Sequence, residues 1–150
     1  MAFVGVFPVN ASTFKVGKAG LTSVAPTDFA GIAELEEIGL DIDSSDETWN
    51  SMDAEGWQSA LVTGKELKLG GKAKRSIGDP GNDYLAGLAF SIGSDCYTKF
   101  EWTFPDGAKV TGTVAVGVKS MGGGKATDVA PLEFEMLSHG KPTFTPAPVA

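Results

Sequence analysis

Lys72-Ala73-Lys74-Arg75-Ser76-Ile77-Gly78-Asp79-Pro80-Gly81-Asn82-Asp83-Tyr84-Leu85-Ala86-Gly87-Leu88 is the stretch from which the rest of the chain is organised. It opens as the end of a lysine-rich strand, breaks at Gly78 and enters an Asp-Pro-Gly turn. Asn82 or Asp83 can then cap a short helix over about 82–90, because either side chain accepts a bond from orphan N–H groups of the first turn. Tyr84 with Leu88, and Leu85 with Ala89, are four apart and give this helix one apolar side. Everything else reads as β structure, so strands gather on either side of one helix.

The order of short motifs around this stretch carries a resemblance. Thr63-Gly64-Lys65, Lys74-Arg75, Gly78 through Leu88, Thr98-Lys99-Phe100-Glu101-Trp102, Pro105-Asp106-Gly107-Ala108-Lys109, Leu132-Glu133-Phe134 and Gly140-Lys141-Pro142-Thr143 follow one another as in the major tail tube proteins of long-tailed bacteriophages, which the chain resembles from Trp57 to Thr143. That resemblance implies a structural virion protein with no catalysis and no cofactor. Six subunits would form a ring whose sheets close one continuous inner barrel, and stacked rings would form the tail tube that conducts DNA. It also implies as partners further copies of the chain, the tape measure, the tail terminator and distal tail proteins, with DNA passing through unbound. Assembly in the host cytoplasm and a place in the virion tail follow from it.

Composition bounds the same reading. With 150 residues the chain suits one domain over 1–150, large enough to bury roughly two-thirds of its unfolded surface. Abundant glycine with scattered β-branched and aromatic residues favours an all-β fold rich in turns. A net charge of −7 argues against a surface built to grip phosphates. The single cysteine, Cys96, excludes an internal disulfide or a CxxC pair, and the single histidine, His139, is distant in sequence. No basic segment precedes an apolar run at the start and no stretch reaches membrane-spanning length, so no membrane partner is expected.

In chain order, residues 1–12 read as an extended N-terminal arm, 13–138 as the β core and 139–150 as a second arm held extended by Pro142, Pro146 and Pro148. Both arms are expected to pack on neighbours rather than on their own core. Thr13 to Ala19 is a strand and Leu21 to Phe29 a turn-rich passage. Ile32 to Ile42 is a strand in which Leu35 falls out of phase with Ile38, Leu40 and Ile42. One extra residue near Glu36-Glu37, a β-bulge, restores a single face. Ser44 to Gly56 reads as a long polar loop, mobile in the monomer, and 56–63 as a helical turn. Lys65 to Lys74 alternates into a strand. Asp95 to Phe104 and Ala108 to Ser120 form a hairpin. A three-residue loop with Gly107 left-handed places Phe104 opposite Ala108, Trp102 opposite Val110 and Phe100 opposite Gly112. Pro131 to Ser138 is the last strand, with Leu132, Phe134 and Met136 inward and Glu133 and Glu135 outward. The predicted fold is an antiparallel β-sandwich or partly rolled barrel with one short flanking helix.

Chemical motifs give little. The glycine–lysine pairs lack the glycine five residues earlier, and the following Ser or Thr, that a phosphate loop requires. Asp79, Asn82 and Asp83 lack the twelve-residue loop and terminal glutamate of a calcium site, and turn formation with capping accounts for them. Glu34 with Glu36, or Glu133 with Glu135, match a solvated strand face as well as a hydrolase pair. Charge distribution says more. From Ala19 to Gly64 there is no Lys or Arg, yet ten of the nineteen acids lie there, whereas Lys65, Lys68, Lys72, Lys74 and Arg75 follow with one Glu. This segregation suits a head-to-tail contact between copies. The inter-subunit candidates are Asp46, Glu47, Trp49, Asp53, Glu55 and Trp57 on one side, and those five basic residues on the other. A lumen that lets DNA slide should repel phosphate. Glu34, Glu36, Asp41, Glu101, Glu133 and Glu135 are the candidates to line it. The alternative readings are a monomeric β-sandwich binding or virion decoration module, and a small hydrolase.

Overall fold

The computed structural model describes residues 3–148. Eight strands, β1 (Thr13–Gly17), β2 (Phe29–Gly31), β3 (Leu35–Asn50), β4 (Gln58–Lys74), β5 (Tyr97–Thr103), β6 (Lys109–Ser120), β7 (Pro131–Ser138) and β8 (Thr143–Thr145), accompany one helix, α1 (Pro80–Gly87). All pairings are antiparallel, in the order β2-β1-β5-β6-β7-β4-β3, with β8 also on β6. The fold is all-β with a single short helix, as expected. Rather than two separate sheets, one continuous sheet folds over at β6. The first half of β6 pairs with β5 and its second half with β7. Phe14, Val16, Phe100 and Trp102 from one half then meet Leu67, Leu69, Leu132, Phe134 and Met136 from the other in a single core. Leu85 and Ala86 of α1 are buried in it, and Tyr84 and Leu88 pack at its margin.

Where one strand face is buried, the period-two pattern sets the register, and there the structure agrees with the sequence reading. Trp102 faces Val110, Phe100 faces Gly112 and Thr103 faces Lys109. Gly107 has φ 93°. The turn closes with the Phe104 amide donating to the Ala108 carbonyl at 2.8 Å. In β3 the register moves from Leu35 opposite Ala73 to Glu37 opposite Lys72, so Glu36 is the bulged residue. In β7, Leu132, Phe134 and Met136 are buried between half-exposed glutamates. The Phe134 ring covers its cross-strand partner Gly71, where a Cβ would collide with it.

Several expectations are corrected. Ser44 to Gly56 is not a loop, and 56–63 is not a helical turn: β3 runs on to Asn50 and β4 starts at Gln58, joined by a one-turn 3-10 segment at Met52–Ala54. This distal hairpin has solvent on both faces, so nothing imposes alternation on its side chains and backbone pairing alone defines it. Glu34 is no strand residue; it turns with φ 58° just before β3. The helix begins at Pro80 and its cap is Asp79, whose carboxylate accepts from the Asn82 amide at 3.0 Å. Proline at the first helical position needs no N–H partner, which shifts the start two residues earlier than Asn82.

The expectation that the arms avoid their own core is corrected too: both contact their own subunit. Residues 143–145 form β8 against Lys109–Thr111, along the β6 edge left open where β7 ends. Pro142 packs at Gly112, which has no side chain to exclude it. In the N-terminal arm the Phe7 ring lies 6.4 Å from Phe104, edge-on. Residues 1, 2, 149 and 150, the outer ends of both predicted arms, lie outside the described residues.

Asn82 is fully buried and joins three segments. Its Oδ1 accepts from Arg75 Nη1 at 2.9 Å and from the Ser76 amide at 3.1 Å, and its Nδ2 donates to the carbonyls of Lys74 and Ala33 at 2.8 and 3.3 Å. Asp79 adds a bond from the Ala33 amide at 3.1 Å. Asp83 meets Arg75 at 2.8 Å. This guanidinium bond, ahead of an amide bond from Gly78, holds its carboxyl below the usual carboxylate range. A depressed folded-state pKa contributes stability above the unfolded value and loses it as pH falls through the folded one. The thermal midpoint should therefore drop on acidification between about pH 5 and pH 2, and Asp83→Asn should flatten that slope. An unchanged slope in the variant would show that the pair contributes nothing.

Candidate functional site

Outside the core, the face shared by β3, β4, β7 and the second half of β6 is a lattice of opposite charges. Lys68 Nζ is 3.1 Å from Glu135, Lys72 is 3.9 Å from Glu133, and Lys119 is 2.7 Å from the other oxygen of Glu135. Lys119, then Lys68, draw the Glu135 carboxyl below its usual range, and the bond to Glu135 raises Lys68. Asp41 stands opposite Lys68, and Glu37 opposite Lys72. Gly39 and Gly70 face each other in the middle and leave a depression of about 340 Å³ walled by these charges.

The candidate lining acids therefore separate. Asp41, Glu133 and Glu135 share this face; Glu101 belongs to the other half-sheet, on β5, 3.5 Å from Lys109. Glu36, at the bulge, pairs with Lys74 at 3.1 Å, and Glu34 lies in the preceding turn. The face carries Glu37, Asp41, Asp43, Glu66, Glu133 and Glu135 against Lys68, Lys72 and Lys119, an excess of three acids (six less three) rather than an acidic wall.

The inter-subunit candidates separate as well. Lys68, Lys72, Lys74 and Arg75 are in ion pairs within their own chain; Lys65 is in none among the described residues. Much of the charge segregation read along the sequence is thus cross-strand pairing inside the subunit. Beyond Ser45 the situation changes. Thr63 is an extra residue in β4, its hydroxyl donating to the Ser45 carbonyl at 3.0 Å, and past it Asp46 faces Val62 and Glu47 faces Leu61. The acids of the distal hairpin make no ion pair among the described residues, and Trp49, Met52, Trp57, Leu61 and Val62 are all exposed. By register, Trp49 and Glu47 share a face with Ser59 and Leu61, in phase with Trp57.

Two strand edges complete the surface. Among the described residues β3 pairs only with β4, and Val116–Ser120 of β6 pair only with β7. Both edges of the half-sheet β6-β7-β4-β3 are unpaired there. The sequence did contain the signal for the second: in the predicted hairpin Asp95 falls opposite Gly117, so the strand ending at Ser120 is three residues longer than its partner can cover, and β5, starting at Tyr97, leaves five. The two rare reactive side chains serve structure. His139 stacks on Tyr97 with ring centroids 4.3 Å apart, and the Cys96 thiol donates to the Ser91 carbonyl at 3.1 Å.

No protein-family model and no curated protein matches the chain. Solved structures do. A chain of the tail of an empty gene transfer agent (GTA) particle, refined helically with C6 symmetry, superposes with a TM-score of 0.70 at 18% identity, over 94% of this chain and 100% of that one. A chain of the virion of the native GTA particle gives 0.69 at 18%, with the same coverage. The tube-terminating cap of the anti-feeding prophage gives 0.56 at 12%, over 97% of this chain and 95% of that one. The protein thus has the fold of these phage-like tail and tube-cap chains, the fold that its resemblance to tail tube proteins implies.

Proposed function

We propose that the chain is a virion structural protein that forms stacked hexameric rings, the tube through which DNA leaves a phage-type particle. The observation that carries this reading is the half-sheet β6-β7-β4-β3, with a charged outer face and two unpaired edges. An unpaired edge of sixteen residues, as β3 presents, is a liability unless another strand covers it. Pairing part of the β3 edge with the Val116–Ser120 edge of a neighbour continues the sheet from copy to copy. Closure of such a sheet covers these paired edges. The charged face then lines the bore and α1 lies behind the core. The C6 tail from which the similar GTA chain comes supports a six-fold closure. In this reading the protein is assembled in the host cytoplasm and works in the virion tail, beside tape measure, terminator and distal tail proteins.

Size-exclusion chromatography with negative-stain microscopy at rising protein concentration tests the proposal. Rings and tubes are expected; a species that stays monomeric at every concentration favours a binding or decoration module instead.

The bore has to let a polyanion slide. Its acids exceed its lysines, but each lysine is held beside a carboxylate, so no bare cation is offered to phosphate. Glu133→Gln with Glu135→Gln would expose Lys68, Lys72 and Lys119. Tubes should still form, with DNA ejection slowed most at low salt. Ejection at the unmodified rate would remove the electrostatic argument. Replacing both glutamates by lysine is the poorer test, because it sets like charges across β7 from β4 and weakens the sheet itself.

A further inference from the structure

Two apolar features at opposite ends of the subunit leave large hydrophobic side chains open to solvent. The first is an open groove of about 700 Å³ between β3–β4 and β6–β8, lined by Leu40, Ile42, Leu67, Val110 and Phe144, with two lysines, Lys65 and Lys141, against one acid, Glu66. Ile42 and Phe144 are 63% and 61% exposed, although both belong to strands. The second is the connection from α1 to β5, where Phe90 and Ile92 are 91% and 86% exposed.

Register places them at different ends. Along β6, Val110 borders the groove, while Ala115 faces Tyr97, which follows the Phe90–Ile92 connection. Five residues of strand span about 17 Å. Along β4, Leu67 borders the groove and Lys74 leads towards α1, about 23 Å further. One copy cannot fill its own groove with its own Phe90, but a copy displaced along the strands can fill the next one's. Charge agrees with this pairing. Between Arg75 and Lys99 the chain has no Lys or Arg, and Asp95 follows the two apolar residues. Lys65 and Lys141 of the groove make no ion pair among the described residues.

We propose that Phe90 and Ile92 of one subunit seat in the Leu40–Phe144 groove of a second copy, forming the axial contact between successive rings. The contact is heterologous, so it repeats without closing and makes a filament. This inference rests on the tube reading and assigns its stacking surface.

Phe90→Asp with Ile92→Asp, both on exposed positions, should leave the subunit's thermal midpoint unchanged. The protein concentration needed for tubes should rise at least about tenfold, as for loss of a central apolar anchor. Phe144→Asp should do the same from the groove side. In a Cys96→Ser background, Phe90→Cys with Phe144→Cys and a short bis-maleimide should give a ladder of linked subunits from assembled tubes. Val6→Cys with Phe144→Cys, and Trp57→Cys with Phe144→Cys, test the N-terminal arm and the distal hairpin as occupants and should give none. Tubes at unchanged concentration from the double aspartate variant, or a ladder from either of those two pairs in place of Phe90, overturn this contact alone. If the unmodified chain forms no tubes at any concentration, the tube reading fails and the contact with it.

Discussion

Excising Asp46–Val62 and joining Ser45 to Thr63 through an Asn-Gly turn should yield a folded subunit that does not form the proposed tubes. None of the excised residues is buried, and the core residues of β3 and β4 lie on the retained side of the Thr63 bulge. The cost to the subunit should stay within about 1 kcal/mol, because the excision removes no core contact and shortens a connection. What disappears is surface: Trp49, Trp57, Leu61 and Val62 exposed on a two-stranded ribbon, beside Asp46, Glu47, Asp53 and Glu55, which make no ion pair among the described residues. A bare ribbon of that length is marginal in water without something to pack on, and apolar residues clustered on it mark a binding surface. Chromatography and microscopy read the outcome. Tubes of ordinary length from the shortened chain would show that the ribbon is dispensable, and would return its tryptophans to no known purpose.

Asn82→Leu should be the most damaging single substitution in the core. Leucine matches the volume but strands the Ser76 amide and the Lys74 carbonyl, both within 3.1 Å of the Asn82 side chain, and removes a bond from Arg75. These part-buried backbone groups, left without a partner, cost up to about 1–3 kcal/mol each, so a loss of about 2–4 kcal/mol is expected. That is a large share of the roughly 5–15 kcal/mol by which a domain is stable. Urea unfolding measures it. A loss below about 1 kcal/mol would mean that water or a backbone shift replaces the amide. Assembly should fail with the fold here, in contrast to the hairpin excision, where the subunit survives.

The charged face changes how two ideas about the surface stand. An acidic bore and a basic strand reserved for a neighbouring ring both treat charges as unpaired, because sequence order does not show which strands lie side by side. Lys68 and Lys72 are separated from Glu135 and Glu133 by more than sixty residues, yet β4 and β7 are adjacent and the side chains meet. Ion pairs of this exposed kind stabilise little. Their consequence is for the surface potential, since they cancel the basic patch that a neighbour or a phosphate would otherwise meet.

Local chemistry was legible wherever a buried face or a turn dictates it. The hairpin register at Pro105-Asp106-Gly107, the bulge at Glu36 and the inward set Leu132, Phe134 and Met136 follow from period-two burial and turn chemistry and are where the pattern puts them; the one helix is also local in origin, though it starts at Pro80, two residues before Asn82. Tertiary structure decided what has no buried face to record it. The distal half of the β3–β4 hairpin is wet on both sides, so its composition imitates a loop. The strand at Thr143–Thr145 exists because β6 outruns β7 and Gly112 makes room for Pro142. The Leu40–Phe144 groove exists because β3, β4, β6 and β8 are brought together at one end of the folded sheet. Alternation reports the side of a strand that meets a core. Which strands become neighbours, and which edges remain unpaired, depends on long-range pairing that no local pattern encodes.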